Sequence, residues 1–453
     1  MKTVLVLGAG RVSGPLVDYL LAAEGISVTV ADADRAAAEA RIAGHPRGAA
    51  RCLDAMDENA VREAVAGVDL VASLLPKALH GRVARGCLAE GRSLVTASYV
   101  DAEMAGLDEE VRKAGLLFLN EMGVDPGLDH MAAVRMIAAA HGRGGAVVEF
   151  HSSCGGLPAP AHNANPFGYK FSWSPEGMLM AAREGGRYLR DGGEVEVSPA
   201  ELFQRYGLTE IPGVGVFEVH VNRDALPYRE RYGIPEAKGI FRGTLRNVGH
   251  CETFGYFREL GLLDGETPLP RPAENSNPTV REALATWLGL PVETLEDGIG
   301  ARLNVPTHAL ILKKLKWLGL LDERRPALPA KTPLELLAAR MKERLVYAPG
   351  ETDLLVQQHG LTAEYPDGRR ERWTALLSEI GDPKGHGAMA RTVGLPAAIG
   401  ARLILEGKVG LTGVRTPVHP EIYKPVLSEL ETMGIRFRES VVSADEALPL
   451  VWP

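Results

Sequence analysis

Residues 3–7 (TVLVL) form an unbroken β-branched and aliphatic run, the pattern of a strand buried on both faces. A glycine-rich turn follows, and then a helix near 13–23. The alternation continues with strand 26–31, helix 34–43, strand 49–53, helix 57–65, strand 69–73, helix 79–89, strand 93–97, helix 104–113 and strand 115–119. Strand and helix alternating at this spacing predict a parallel sheet with helices on both faces, an α/β dinucleotide-binding (Rossmann) domain over 1–124.

The pattern changes after Asn120. Residues 121–130 read as a loop containing Pro126 and Gly127, followed by a helix of small residues to about 140. Strands are expected at 146–153, 214–221 and 239–247, and a Gly-, Pro- and Asn-rich loop at 154–170. From 252 to 343 the helical period dominates, with segments near 253–261, 278–288, 293–302, 306–318 and 333–345. In HALILKKLKWLGLL the lysines Lys313, Lys314 and Lys316 are expected on a solvated face. Two long strands, 352–365 and 369–380, flank Pro366-Asp367-Gly368, a hairpin signal. Helices near 394–406 and 419–434 and a strand near 435–442 close the chain. The expected division is a Rossmann domain (1–124), an α+β substrate and dimerisation domain with a mixed sheet (125–251 and 344–400), an all-helical insert (252–343), and a C-terminal segment (401–453) packing back on the first domain.

Composition narrows the function classes. The 453 residues carry 45% apolar and 24% charged side chains, as in ordinary globular proteins. No run of 18 apolar residues occurs, so no membrane span is expected. Gly8 and Gly10 interrupt the apolar N-terminus, which reads as a buried strand and not a signal peptide. The net charge of −8 comes with no basic block, which disfavours nucleic acid. Four scattered cysteines with no CxxC pair argue against disulfides and zinc, and fit a cytoplasmic protein. No metal is expected.

The chemistry begins at Gly8-Ala9-Gly10-Arg11-Val12-Ser13-Gly14, between the first strand and first helix. Gly8 permits a tight turn, and Gly10 lets a pyrophosphate approach the backbone. Ser13 is small enough for close helix–strand packing, and the helix N-terminus offers amide donors to phosphate. Gly8, Gly10, Arg11, Val12 and Ser13 are therefore assigned to cofactor binding. The second strand ends at Asp32, 22 residues past Gly10, where an acid binds ribose hydroxyls and repels a 2′-phosphate. NAD is favoured over NADP, and Arg35 nearby leaves NADP open. Asp54, after the third strand, reads equally as a contact to adenine or as a turn carboxylate.

Several stretches resemble saccharopine dehydrogenase of the glutamate-forming type (saccharopine reductase). They are Val95-Thr-Ala-Ser-Tyr-Val100, Asn120-Glu-Met-Gly-Val-Asp-Pro-Gly-Leu-Asp-His130, Cys154-Gly-Gly-Leu-Pro-Ala-Pro160, Asn165 to Gly177, Asn222-Arg-Asp224 and Arg242-Gly-Thr-Leu-Arg246. The resemblance covers nearly the whole chain. It implies an NAD(P)-linked cleavage of saccharopine to glutamate and 2-aminoadipate 6-semialdehyde, or the reverse, by a homodimer. It implies that Ser98, Tyr99, Asp125, Arg223, Gly243, Thr244 and Leu245 touch substrate. It implies that Leu75, Ala97, Ser98, Val124, Pro126 and Ser174 line the cofactor. Asp125 is the first choice for proton transfer, with Tyr99 or an ordered water behind it. Three carboxylates on the substrate call for arginine forks, which Arg223 and the Arg242–Arg246 segment supply. Two alternatives stand beside this reading. One is a carboxynorspermidine or homospermidine synthase-like coupling of a diamine to an aldehyde; the other is a non-catalytic NAD-binding redox sensor.

Overall fold

The computed structural model describes residues 1–270, 278–324, 330–445 and 450–453; parts of the expected helical insert (271–277, 325–329) and of the C-terminal segment (446–449) lie outside them. The first elements are β1 (Lys2–Leu7), α1 (Gly14–Ala22), β2 (Ile26–Asp32), α2 (Arg35–Ile42), β3 (Gly48–Cys52), α3 (Glu58–Ala66) and β4 (Leu70–Ser73). Then come α4 (His80–Ala89), β5 (Ser93–Thr96), α5 (Ala102–Gly106), α6 (Asp108–Lys113), β6 (Leu117–Leu119), α7 (Leu128–Gly142) and β7 (Ala146–Pro158). The middle of the chain holds α8 (Pro175–Ala181), β8 (Gly186–Arg190), β9 (Gly193–Val197), β10 (Tyr206–Ile211), β11 (Gly215–Val221), α9 (Tyr228–Arg231) and β12 (Gly239–Asn247). Among the described residues there follow α10 (His250–Glu259), α11 (Val280–Leu288), α12 (Leu295–Arg302), α13 (Leu310–Leu318) and α14 (Pro333–Arg344). The last are β13 (Asp353–Glu364), β14 (Arg370–Ile380), α15 (Ala388–Leu405), β15 (Gly413–Arg415), α16 (Pro420–Thr432) and β16 (Arg438–Ser443).

Contacts group the chain into two units. Unit 1 comprises Met1–Cys154, Tyr228–Ala237 and Thr352–Leu448; unit 2 comprises Gly155–Pro227, Lys238–Glu351 and Pro449–Pro453.

Unit 1 contains a seven-stranded sheet in the order β15-β6-β5-β4-β1-β2-β3. Every pairing in it is parallel. Val4, Leu5, Val6 and Leu7 are at most 1% exposed, so β1 is covered on both faces, as its unbroken apolar run requires. The order places β1 beside β4, the crossover point whose carboxyl edge binds nucleotides in doubly wound sheets. The helix expected over 104–113 is two, α5 and α6, meeting at Leu107. β15 is a strand that hydrophobic periodicity does not reveal; three residues are too few to show a period. β13 and β14 form the expected hairpin, closed by Tyr365–Arg369, and β16 adds antiparallel to β14. α15 has the length and composition of a membrane-crossing helix, but 67% of it is buried, as in the core helix of a globular unit. It presses onto the start of α1, and a Cβ on Gly394 would lie 2.8 Å from the Val12 carbonyl oxygen. Only glycine allows that approach.

Unit 2 carries the antiparallel strands β10-β11-β12 and the β8–β9 hairpin, joined to β12 through Ile240 and Leu189. β8, β9 and β10 are not evident in the sequence. Their charged and glycine-rich residues are largely exposed, so the apolar signal is weak. β7 runs five residues past its expected end, through Gly155-Gly156-Leu157-Pro158. Gly155 continues it because the Leu245 side chain packs against its Cα; a Cβ there would stand 2.8 Å from that side chain. α10 to α14 form the expected helical stretch. One expectation on it is wrong. Lys313 and Lys316 are exposed, but Lys314 is 4% exposed. Its ammonium donates to the Gly249 carbonyl at 3.2 Å and the Thr253 hydroxyl at 2.5 Å, so local acceptors hold it on the apolar face of α13.

Candidate active site

The turn after β1 has the geometry a dinucleotide needs. Gly8 has φ of +99°, and a Cβ there would meet the Leu74 backbone at 3.2 Å. Gly10 is exposed with no atom near a would-be Cβ, which leaves its backbone open to a pyrophosphate. Ser13 is buried and donates its hydroxyl to the Gly10 carbonyl at 2.8 Å, clamping the turn. Arg11 is exposed and Val12 half-buried at the start of α1. Asp32 sits where the spacing puts it, with one carboxylate oxygen accepting from the Ala9 amide at 2.7 Å. Asp54 accepts from the Met56 amide at 2.8 Å, the geometry of a turn carboxylate. These residues fit a nicotinamide dinucleotide at the glycine turn.

Further along the same carboxyl edge, β4 and β5 present Leu75, Ala97, Ser98 and Tyr99, all half-buried. The Tyr99 hydroxyl donates to Asp125 Oδ1 at 2.9 Å, so the two residues singled out for proton transfer are in contact. Val124 and Pro126 flank Asp125 and are buried. Two groups behind this pair were not foreseen. His80 is 4% exposed; its Nε2 lies 2.7 Å from the Ser98 hydroxyl and its Nδ1 3.2 Å from Ser73. Burial lowers its pKa to about 4, so its ring is neutral. The helical period offered a signal: His80 shares the inward stripe of α4 with Val83, Ala84 and Cys87. Glu121 is 1% exposed at φ +60°, accepts from the Val100 amide at 3.1 Å, and stands 2.8 Å from His130 Nε2. It also accepts from Arg231 at 3.1 Å. Burial pushes its carboxyl up, but His130 and Arg231 outweigh that and hold it at about 2. Glu121 thus ties the Tyr99–Val100 segment to the segment carrying Asp125.

Within unit 2, a recess partly open to solvent is lined by Arg223, Thr244, Arg246, His220, His250 and Glu184 among others. Period-two alternation along β12 puts Arg242, Thr244 and Arg246 on one face. Gly243 and Leu245 do not line the recess, and the Leu245 side chain is fully buried. Arg223 donates to Glu184 at 2.6 Å, and Asp224 pairs with Arg187 instead. Arg246 is 8% exposed, and its Nε–H finds no protein acceptor. Burial, then the Arg246 charge, lowers His220 to about 3, and burial and then the same charge hold His250 well below its ordinary value. The recess therefore joins guanidinium charge to neutral imidazoles, the surroundings of a carboxylate site. Ser174 is exposed and caps α8 by accepting from the Gly177 amide at 3.1 Å.

The sequence model described as the saccharopine dehydrogenase NADP binding domain matches residues 4–119, and that of the saccharopine dehydrogenase C-terminal domain matches 123–435. The chain is 36% identical to a Schizosaccharomyces pombe protein named saccharopine dehydrogenase [NADP(+), L-glutamate-forming], over 98% of this chain and 100% of that one. The Saccharomyces cerevisiae protein of the same name is also 36% identical, over 98% and 100%. A bovine mitochondrial alpha-aminoadipic semialdehyde synthase is 36% identical over 96% of this chain but only 47% of its own length. Among solved structures, apo saccharopine dehydrogenase (L-Glu forming) from Saccharomyces cerevisiae superimposes with a TM-score of 0.87, at 35% identity over 98% of this chain and 100% of that one.

Proposed function

The chain belongs to the saccharopine dehydrogenase family, and we propose that it catalyses the nicotinamide-dependent interconversion of saccharopine with glutamate and 2-aminoadipate 6-semialdehyde. The observation that carries the substrate side of this reading is the recess of unit 2 in which Arg223, Thr244 and Arg246 converge. Guanidinium groups with a hydroxyl beside them are the ordinary partners of a carboxylate. A diamine would want an excess of carboxylates in that place, where Arg223 and Arg246 outnumber Glu184, which disfavours the polyamine-synthase alternative.

Bound nicotinamide supplies one thing, an acceptor for the hydride leaving the substrate's C–N carbon. The protein does the rest. Arg223, Thr244 and Arg246 hold carboxylate, and Arg223 exchanges part of its Glu184 partnership for it. Ser98 is held by His80. Asp125, in contact with the Tyr99 hydroxyl, accepts a proton as water adds to the carbon–nitrogen double bond and the carbinolamine splits to amine and aldehyde. The homodimer implied by the resemblance and the cytoplasmic location inferred from the scattered cysteines belong to the same proposal.

The test is the absorbance of reduced nicotinamide when the purified chain is mixed with saccharopine and oxidised cofactor. Saccharopine-dependent reduction, with glutamate appearing in equal amount, is expected. Cofactor binding without saccharopine-dependent reduction would leave the redox-sensor alternative standing and remove this one.

A further inference from the structure

The two fungal relatives carry NADP in their names, while the adenine-ribose corner of this chain is acidic. Where β2 meets α2, any 2′-phosphate would face whatever follows Ala31. Here that is Asp32-Ala33-Asp34-Arg35. Asp32 Oδ2 accepts from the Ala9 amide at 2.7 Å, and Oδ1 accepts from the Asp34 amide at 2.9 Å. Asp34 then caps α2 through the Ala36 and Ala37 amides at 2.9 and 3.2 Å. The amides that could cradle a phosphate at this helix start are therefore taken by a carboxylate of the chain itself.

The nearby cations are also engaged. Arg35, which the sequence leaves open as a phosphate partner, is paired one helical turn onward with Glu39 at 2.8 Å. Arg41 lies against the glycine turn, donating to the Ala9 and Gly10 carbonyls at 3.2 and 3.0 Å. The Cys52 thiol on the neighbouring strand points to the Ala33 carbonyl. Asp32 can still serve a ribose. A carboxylate has about four acceptor sites, and each of its oxygens here receives one protein amide. One remaining site per oxygen suits the 2′- and 3′-hydroxyls, which donate; a phosphate cannot donate and carries like charge.

We infer that this enzyme selects NAD(H) over NADP(H), with Asp32 as the specificity-determining residue and Asp34 as the group that closes the phosphate pocket. The inference rests on the proposed function only in taking the glycine turn to hold a nicotinamide dinucleotide. The experiment is calorimetric titration of the full chain with NADH and with NADPH, backed by competition with 5′-AMP and 2′-AMP. NADH should bind at least about tenfold more tightly. Equal or tighter binding of NADPH would overturn the inference. The double variant Asp32→Ser, Ala33→Arg should move the ratio towards NADPH by about tenfold or more; a variant that folds and keeps the original ratio also overturns it. If the double variant does not fold, the unmodified chain's own ratio still decides. Failure here and failure of the proposed function are separable. Saccharopine oxidation with NADP alone would sink the NAD preference and keep the function, whereas tight NADH binding without saccharopine oxidation would do the opposite.

Discussion

Glu121→Gln probes the framework beneath the Tyr99–Asp125 pair. The wild-type carboxylate is 1% exposed, with the Val100 amide, the Arg231 guanidinium and the His130 ring around it. A fall in its pKa from 4.5 to about 2 corresponds to about 3 kcal/mol of native-state stabilisation. The sign follows from proton binding. Between those two values the unfolded chain holds a proton at this position and the folded chain does not, so stability rises with pH. The contribution is complete above the unfolded value and is lost as pH falls through the folded one. Glutamine keeps the shape but removes the charge, so the variant should be about 3 kcal/mol less stable at neutral pH. The gap should shrink as the solution is acidified, because the protonated wild-type side chain resembles the amide. Urea denaturation of both proteins over about pH 3 to 7 measures it. Hydrogen exchange in peptides covering 98–104 and 121–135 reports whether the opening is local to this framework. A gap below about 0.5 kcal/mol at neutral pH, or one that stays constant on acidification, would refute the reasoning.

Three further outcomes are expected. Asp125→Asn should lower saccharopine-dependent turnover by more than about tenfold while leaving the cofactor dissociation constant in place; steady-state kinetics beside calorimetry separate the two, and unchanged turnover removes Asp125 from proton transfer. Gly8→Ala places a Cβ at φ +99° and 3.2 Å from the Leu74 backbone, at a cost of about 1–3 kcal/mol. NADH affinity should fall by at least about tenfold, and undiminished affinity would show the turn is not the pyrophosphate site. The His80 ring resonances should not titrate between about pH 5 and 8. Because burial lowers its pKa from 6.5 to about 4, His80 adds stability that is full above the first value and fades as pH falls towards the second; a midpoint near neutrality in nuclear magnetic resonance would contradict this.

The sequence by itself determined the parts of this protein governed by near neighbours. The apolar run Thr3–Leu7, the turn Gly8–Ser13 and the acid at Asp32 lie within one strand–turn–helix–strand unit, so spacing alone locates them, and the structure keeps Asp32 against the Ala9 amide. The β13–β14 hairpin was legible for the same reason: its pairing is dictated by a five-residue connection. What depends on distant partners was not legible. Lys314 looks like a solvated lysine until α10 brings the Gly249 carbonyl and Thr253 hydroxyl to its ammonium. Gly155 reads as loop until Leu245 packs against it. Glu121 and His130 are two letters of a motif until Arg231, some hundred positions onward, joins them. β15 has only three residues, and its membership in the first sheet comes entirely from pairing with β6. Local patterns record propensity and turn chemistry, which short-range sterics decide. Burial, pKa and the choice of partner depend on which surfaces meet, and only the folded chain makes that choice.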